Sequence, residues 1–106
     1  MTNYIINFEN ETTTSFKSKR DLAAVVVRVR ADGKHDVWSK HSSRAAARKF
    51  VSSELAGRLL DHETIFGLRE GMHPDVRARK IREHEREATS PARPMRFYVA
   101  DAIAQN

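Results

Sequence analysis

Three groups of basic residues have spacings suited to holding an anion. Arg79, Arg82 and Arg86 fall three and four apart, so on a helix they line one face within roughly 60 degrees. A guanidinium presents a planar fork of donors and is weakly hydrated, so three in a row can follow phosphates along a backbone. Arg28 and Arg30 alternate in a segment rich in β-branched residues, and with Lys34 and His35 they make a cationic strip about one hairpin long. Lys40, Arg44 and Arg48, with Lys49 beside them, gather at the start of a helix where Ser42 or Ser43 caps the free N–H groups, a setting that can seat a phosphate. Each group also has a plainer use. Asp75, Glu83, Glu85 and Glu87 share the first segment, as on a solvated, charge-laced helix. Charge on a strand guards an edge against pairing, and solvated arginines commonly follow a serine cap.

Other chemistry has less to work with. The chain contains no cysteine, which removes disulfides, thiolate metal ligands and cysteine nucleophiles together. The five histidines, at 35, 41, 62, 73 and 84, include no pair spaced four apart as in a helical zinc site. No serine sits in a Gly-x-Ser-x-Gly elbow, and the four glycines stand alone at 33, 57, 67 and 71, so no phosphate-cradling loop is present. A non-enzymatic protein with no cofactor and no metal is the expectation. Trp38, Phe50, Phe66 and Phe97 fall at core positions, whereas Tyr98 lies opposite Phe97 beside Arg96 and is expected to be free for stacking or for an interface.

The elements that position these groups can be read from local signals. Leu22 to Arg30, the Asp32-Gly33 turn and His35 to His41 read as a β-hairpin. A two-residue turn would pair Arg30 with His35, Arg28 with Val37 and Val27 with Trp38. Val25, Val27, Val29 and Trp38 then share the face that meets a helix, and Arg28, Arg30 and His35 share the other. The helix follows at once in SRAAARKFVSSEL, whose Ala47, Val51 and Leu55 recur four apart. Asp61 would cap a short second helix carrying Ile65, Phe66 and Leu68. A third would start at Pro74, where a missing N–H costs nothing, and run to about Ala88 with Ile81, Ala78 and Ala88 as its buried edge. TSPARP, residues 89–94, is a proline-bearing connector to a last strand from Met95, with Met95, Phe97 and Val99 on one side. Asn3 to Phe8 fits the same sheet, and Ser15 to Lys19 is a further extended piece. The expected fold is α+β, with one small antiparallel sheet packed against an alanine-rich helix, two further helices and a C-terminal strand, in a single compact domain over 1–106.

The hairpin and alanine-rich helix, over about residues 23 to 55, loosely resemble the small sheet-and-helix DNA-binding modules at the front of tyrosine-type integrases. Any hairpin packed on a helix shares that outline, and no family is assigned.

Composition bounds the rest. Of 106 residues, 40% are hydrophobic, enough for one modest core and too few for a two-domain enzyme. Nineteen Lys and Arg against 14 Asp and Glu leave a net charge of +5, which favours anionic partners. No charged start precedes a long apolar run and no stretch approaches the roughly 20 apolar residues of a membrane span, so a cytoplasmic chain without membrane contact is expected. The first expected role is a basic module that binds nucleic acid, or a complex that handles it, through Arg28, Arg30, Lys34, Lys40, Arg44, Arg48, Arg79, Arg82 and Arg86. The alternative is a small inhibitor or adaptor, of the kind phages and other mobile elements encode, that docks on an acidic protein surface. Strand edges at the termini also allow a homodimer.

Overall fold

The computed structural model describes residues 1–56, 58–59 and 73–105. The fold is α+β and contains two antiparallel three-stranded sheets rather than the single sheet expected. β1 (Thr2–Asn7), β2 (Thr13–Ser18) and β6 (Ile103–Gln105) form the first, in the order β2-β1-β6. β3 (Ala24–Arg30), β4 (His35–His41) and β5 (Pro94–Asp101) form the second, in the order β4-β3-β5. The last extended segment is thus divided between sheets: β5 pairs with β3 and β6 with β1. The break falls at Ala102, whose N–H donates to the Ala23 carbonyl at 3.0 Å. Strands that change sheets at such a break are how two sheets share one chain segment without a long connection.

The second sheet is covered on both sides. Ala24, Val25, Val26 and Val27 are all fully buried. Val25 and Val27 pack with Ile6, Phe8 and Ala100 between the sheets, while Ala24 and Val26 pack with Ala47 and Leu55 of the helical layer. An unbroken apolar run is the pattern of a strand with no solvent face. The valine face that was expected to meet the helix meets the first sheet instead, and the helical layer covers the face of Ala24 and Val26, the one expected to be outer and cationic.

The β3–β4 turn differs from expectation by one residue. The Arg30 N–H donates to the Lys34 carbonyl at 2.9 Å and the Gly33 N–H to the Arg30 carbonyl at 3.0 Å, which encloses three residues, Ala31 to Gly33. Gly33 has φ +83°, and a Cβ there would meet nothing within 4 Å, so backbone conformation rather than space calls for glycine. The longer turn moves the register: His35 faces Val29, Arg28 faces Asp36 and Val27 faces Val37. A bulge at Val26/Val27 then admits Trp38 as an additional residue. Trp38 accordingly shares the face of Ala24 and Val26 rather than that of Val25 and Val27, still against the helical layer, and His35 turns towards Phe8 between the sheets, opposite to its expected face.

Helix α1 (Arg44–Phe50) begins where the Ser43 hydroxyl accepts the Ala46 N–H at 3.0 Å, and it continues as one π-helical turn over Val51–Leu55. Its inner side presents Ala47 and then Leu55 to the sheet. The expected helix at Asp61 lies outside the described residues. Helix α2 (Pro74–Thr89) has proline in its first turn and carries no fully buried residue. Its half-buried line is Arg77, Ile81, His84 and Ala88, whereas Ala78, expected inside, is exposed. No strand packs along α2 among the described residues. It is held at its end instead: the Arg93 guanidinium donates to the Ala88 carbonyl at 3.0 Å, and the connector is bonded to the hairpin tip through Ala31 N–H to Arg93 O (2.9 Å) and Asp32 N–H to Pro91 O (3.1 Å). The molecule measures 58 × 25 × 20 Å with a radius of gyration of 17.1 Å. A compact chain of this length would have about 13 Å.

Candidate functional site

The basic residues singled out from the sequence fall into two populations. Those on the sheet and on α1 are largely matched within the chain. Arg28 makes a two-pronged contact with Asp36, Nε to Oδ1 at 3.0 Å and Nη2 to Oδ2 at 2.5 Å, and its guanidinium lies 5.0 Å from the centroid of the Trp38 ring. The hydrogen bond to Asp36, aided by the charges of Asp36 and Asp32 and opposed by burial, raises the Arg28 pKa above its ordinary value. Arg30 pairs with Asp32 at 3.0 Å, and Arg44 pairs with Asp101 at the end of β5. The register explains the first pairing, because the three-residue turn places Asp36, rather than Val37, opposite Arg28.

Lys34, Lys40 and Arg48 are exposed and form no ion pair among the described residues. Lys34 stands at the hairpin tip, where its N–H donates to Asp32 Oδ1 at 3.1 Å. Lys40 lies over the Phe16 ring, 4.2 Å from its centroid, on the rim of a cleft of about 330 Å³ between β2 and β4 that Phe8, Phe16 and Val37 help to line.

Arg79, Arg82 and Arg86 form the second population. All three are exposed. At 100 degrees per residue they sit about 160 degrees round α2 from the half-buried line. No ion pair within the described residues involves them, and Arg82 Nε donates to the Ala78 carbonyl of its own helix at 3.4 Å. Glu83 and Glu87 border the line on one side. The helix thus presents three outward guanidinium groups, and among the described residues it is tied to the body at its C-terminal end. The hairpin, α1 and α2 cations do not merge into one free cationic face, because Arg28, Arg30 and Arg44 spend donors on Asp36, Asp32 and Asp101.

Tyr98 is the other departure. Its hydroxyl accepts the Glu9 N–H at 3.0 Å and meets His35 Nδ1 at 2.8 Å, so the ring helps to fasten the end of β1 to the second sheet instead of offering a stacking surface. Burial raises its pKa, with the Glu9 charge adding and the Glu9 N–H and Arg96 opposing. Trp38 meets Phe97 edge to face at 5.5 Å, within the layer beneath α1.

Sequence reasoning passed over Lys17, Lys19 and Arg20. They are interrupted by Ser18 and divided between β2 and the turn after it, so only the bare run FKSKR would have flagged them. Nearby, burial and then the charge of Arg20 lower the pKa of His41. Among the described residues no three His, Asp or Glu side chains converge as a metal site would require, and no helix is long and apolar enough to cross a membrane. No known family, characterised protein or solved structure matches the chain.

Proposed function

We propose that the chain is a non-catalytic basic module that holds nucleic acid, or a complex that handles it, chiefly through the outward face of α2. The observation that carries this reading is the line Arg79, Arg82 and Arg86: exposed, three and four apart, and without a carboxylate partner among the described residues. Lys34, Lys40 and Arg48 supply further positive charge, while Arg28, Arg30 and Arg44 act within the fold. Binding of this kind goes to phosphates, tolerates sequence and weakens with salt. Polarisation titration of a labelled DNA duplex over a salt series tests it. Replacing the three arginines by glutamine is expected to flatten the plot of log affinity against log salt by about 2.7, from about 0.9 per lost phosphate contact. Absence of binding at low salt, or an unchanged slope, overturns the reading.

One observation favours a second reading. Glu83 and Glu87 border the arginine line, and mixed charge suits an acidic protein surface with its own basic neighbours better than a uniformly negative backbone. The chain would then be an adaptor or inhibitor of the type mobile elements encode. Recovery of one stoichiometric protein after nuclease treatment supports it, and recovery only without nuclease rejects it. Pairing of two copies through β2 has less in its favour, because Lys17 on that strand guards it. Light scattering on a sizing column reads the oligomeric state directly.

A further inference from the structure

Lys17, Lys19 and Arg20, which the α2 reading does not use, and Lys40, which it counts only as added charge, lie towards the end of the sheets remote from the hairpin tip, Lys17 on the face of β2 opposite Phe16. Lys17 is in β2, Lys19 and Arg20 follow it, and Lys40 is the last residue but one of β4. Packing brings these segments together. Lys40 crosses to Phe16, and the Tyr4 hydroxyl clamps the turn by donating to the Arg20 carbonyl at 3.4 Å and accepting the Leu22 N–H at 2.9 Å. All four residues are exposed, and none pairs with a carboxylate among the described residues. Arg28, Arg30, Arg44 and Arg96, by contrast, each have an acidic partner. A local surplus of positive charge without internal partners concentrates anions from solution.

This cluster and α2 lie apart. α2 is fastened to the hairpin tip through the connector, and β4 leads from that tip to His41 across six steps of about 3.3 Å, or roughly 20 Å. We propose that Lys17, Lys19, Arg20 and Lys40 form a second phosphate-contacting surface, so that one copy grips a nucleic-acid duplex at two separated places. The proposal rests on the α2 reading for its first place of contact. The long axis of 58 Å corresponds to about 17 base pairs at about 3.4 Å each, so a duplex of that length spans both surfaces end to end, whereas one of about 8 covers less than half of the axis. Joining two weak contacts on one ligand raises affinity through effective concentration without new chemistry.

The test compares 8- and 20-base-pair DNA duplexes over a salt series, using the full chain, its Lys17→Gln/Lys19→Gln/Arg20→Gln/Lys40→Gln variant and the α2 triple variant. On the longer duplex the quadruple variant is expected to lose about 3.6 from the salt slope, four contacts at about 0.9 each. It should also lose the tenfold or greater gain in affinity from short to long duplex, beyond the statistical increase in sites, that the parent chain shows. Lys40 packs on Phe16, so a variant that keeps Lys40 and changes the other three guards against misfolding; its expected loss of slope is about 2.7. An unchanged slope and an unchanged length gain in folded variants overturn the second surface while leaving α2 untouched. If the α2 variant keeps the parent slope and the quadruple variant loses it, the α2 reading fails, and with it the two-place grip. No binding of the parent chain to either duplex overturns both.

Discussion

Arg28 and Arg79 are the same side chain in opposite circumstances. Arg28 leaves a strand covered on both faces, so its guanidinium must find acceptors inside the protein, and Asp36 and the Trp38 ring supply them. Arg79 leaves a helix with no fully buried residue and meets water. Hydration costs it nothing, and its donors remain available. A surplus of positive charge in a composition is therefore no measure of a binding face. What matters is whether a carboxylate lies within reach: the half-buried Arg28 has one, as do the exposed Arg44 and Arg96, whereas Arg79 has none among the described residues.

The contrast between body and α2 can be attacked from several sides. The largest effect belongs to Leu55→Ala, which empties a position 1% exposed and should lower unfolding free energy by about 2–5 kcal/mol in urea titration. Val76→Ala on α2, where the side chain is 37% exposed, should stay within about 0.5 kcal/mol. Equal costs would erase the distinction. Arg28→Ala leaves Asp36 half-buried without its partner and should cost about 1–2 kcal/mol while changing duplex affinity less than twofold; Arg79→Ala should do the reverse. A drop in affinity for Arg28→Ala with stability intact would place the sheet arginines back in the binding face. Tyr98→Phe removes the acceptor of the Glu9 N–H and the partner of His35, an expected loss of about 1 kcal/mol by thermal melting.

The smallest effect is on pH dependence. Burial, and then Arg20, hold His41 below its ordinary 6.5, so between that lowered value and 6.5 the unfolded chain binds more protons than the folded one. Stability from this ring is complete above 6.5 and is lost as pH falls through the lowered value. Melting temperature should therefore decline on acidification in that range, and His41→Gln should flatten the decline. An unaltered profile in the variant assigns the pH dependence to other groups.

Much of the secondary structure was legible because its signals are local. Pro74 and the prolines of residues 89–94 bracket α2, Ser43 marks the start of α1, a β-branched run marks β3, and Met95, Phe97 and Val99 alternating with other residues mark β5. The arginine line of α2 followed from helical periodicity alone. What escaped depends on chain segments that meet from a distance. One additional residue in the β3–β4 turn decided whether Arg28 faced Val37 or Asp36, and Asp-Gly chemistry suits a two- or a three-residue loop. The uninterrupted Ala24–Val27 run carried a usable hint of burial on both faces. Nothing local announces that residues 94–105 serve two sheets, nor that Lys40 meets Phe16.

That division of the last segment governs how the chain can be built. β3 and β1 each lack one neighbour until β5 and β6 have been made, 70 or more residues after β3 begins. A growing polypeptide leaving the ribosome therefore carries two unfinished hairpins with apolar sides bare, and both can be closed only by the same late-arriving piece. Such distant pairing favours slow assembly, on the scale of milliseconds to seconds, and concentrates the hazard of aggregation in the interval before translation reaches it.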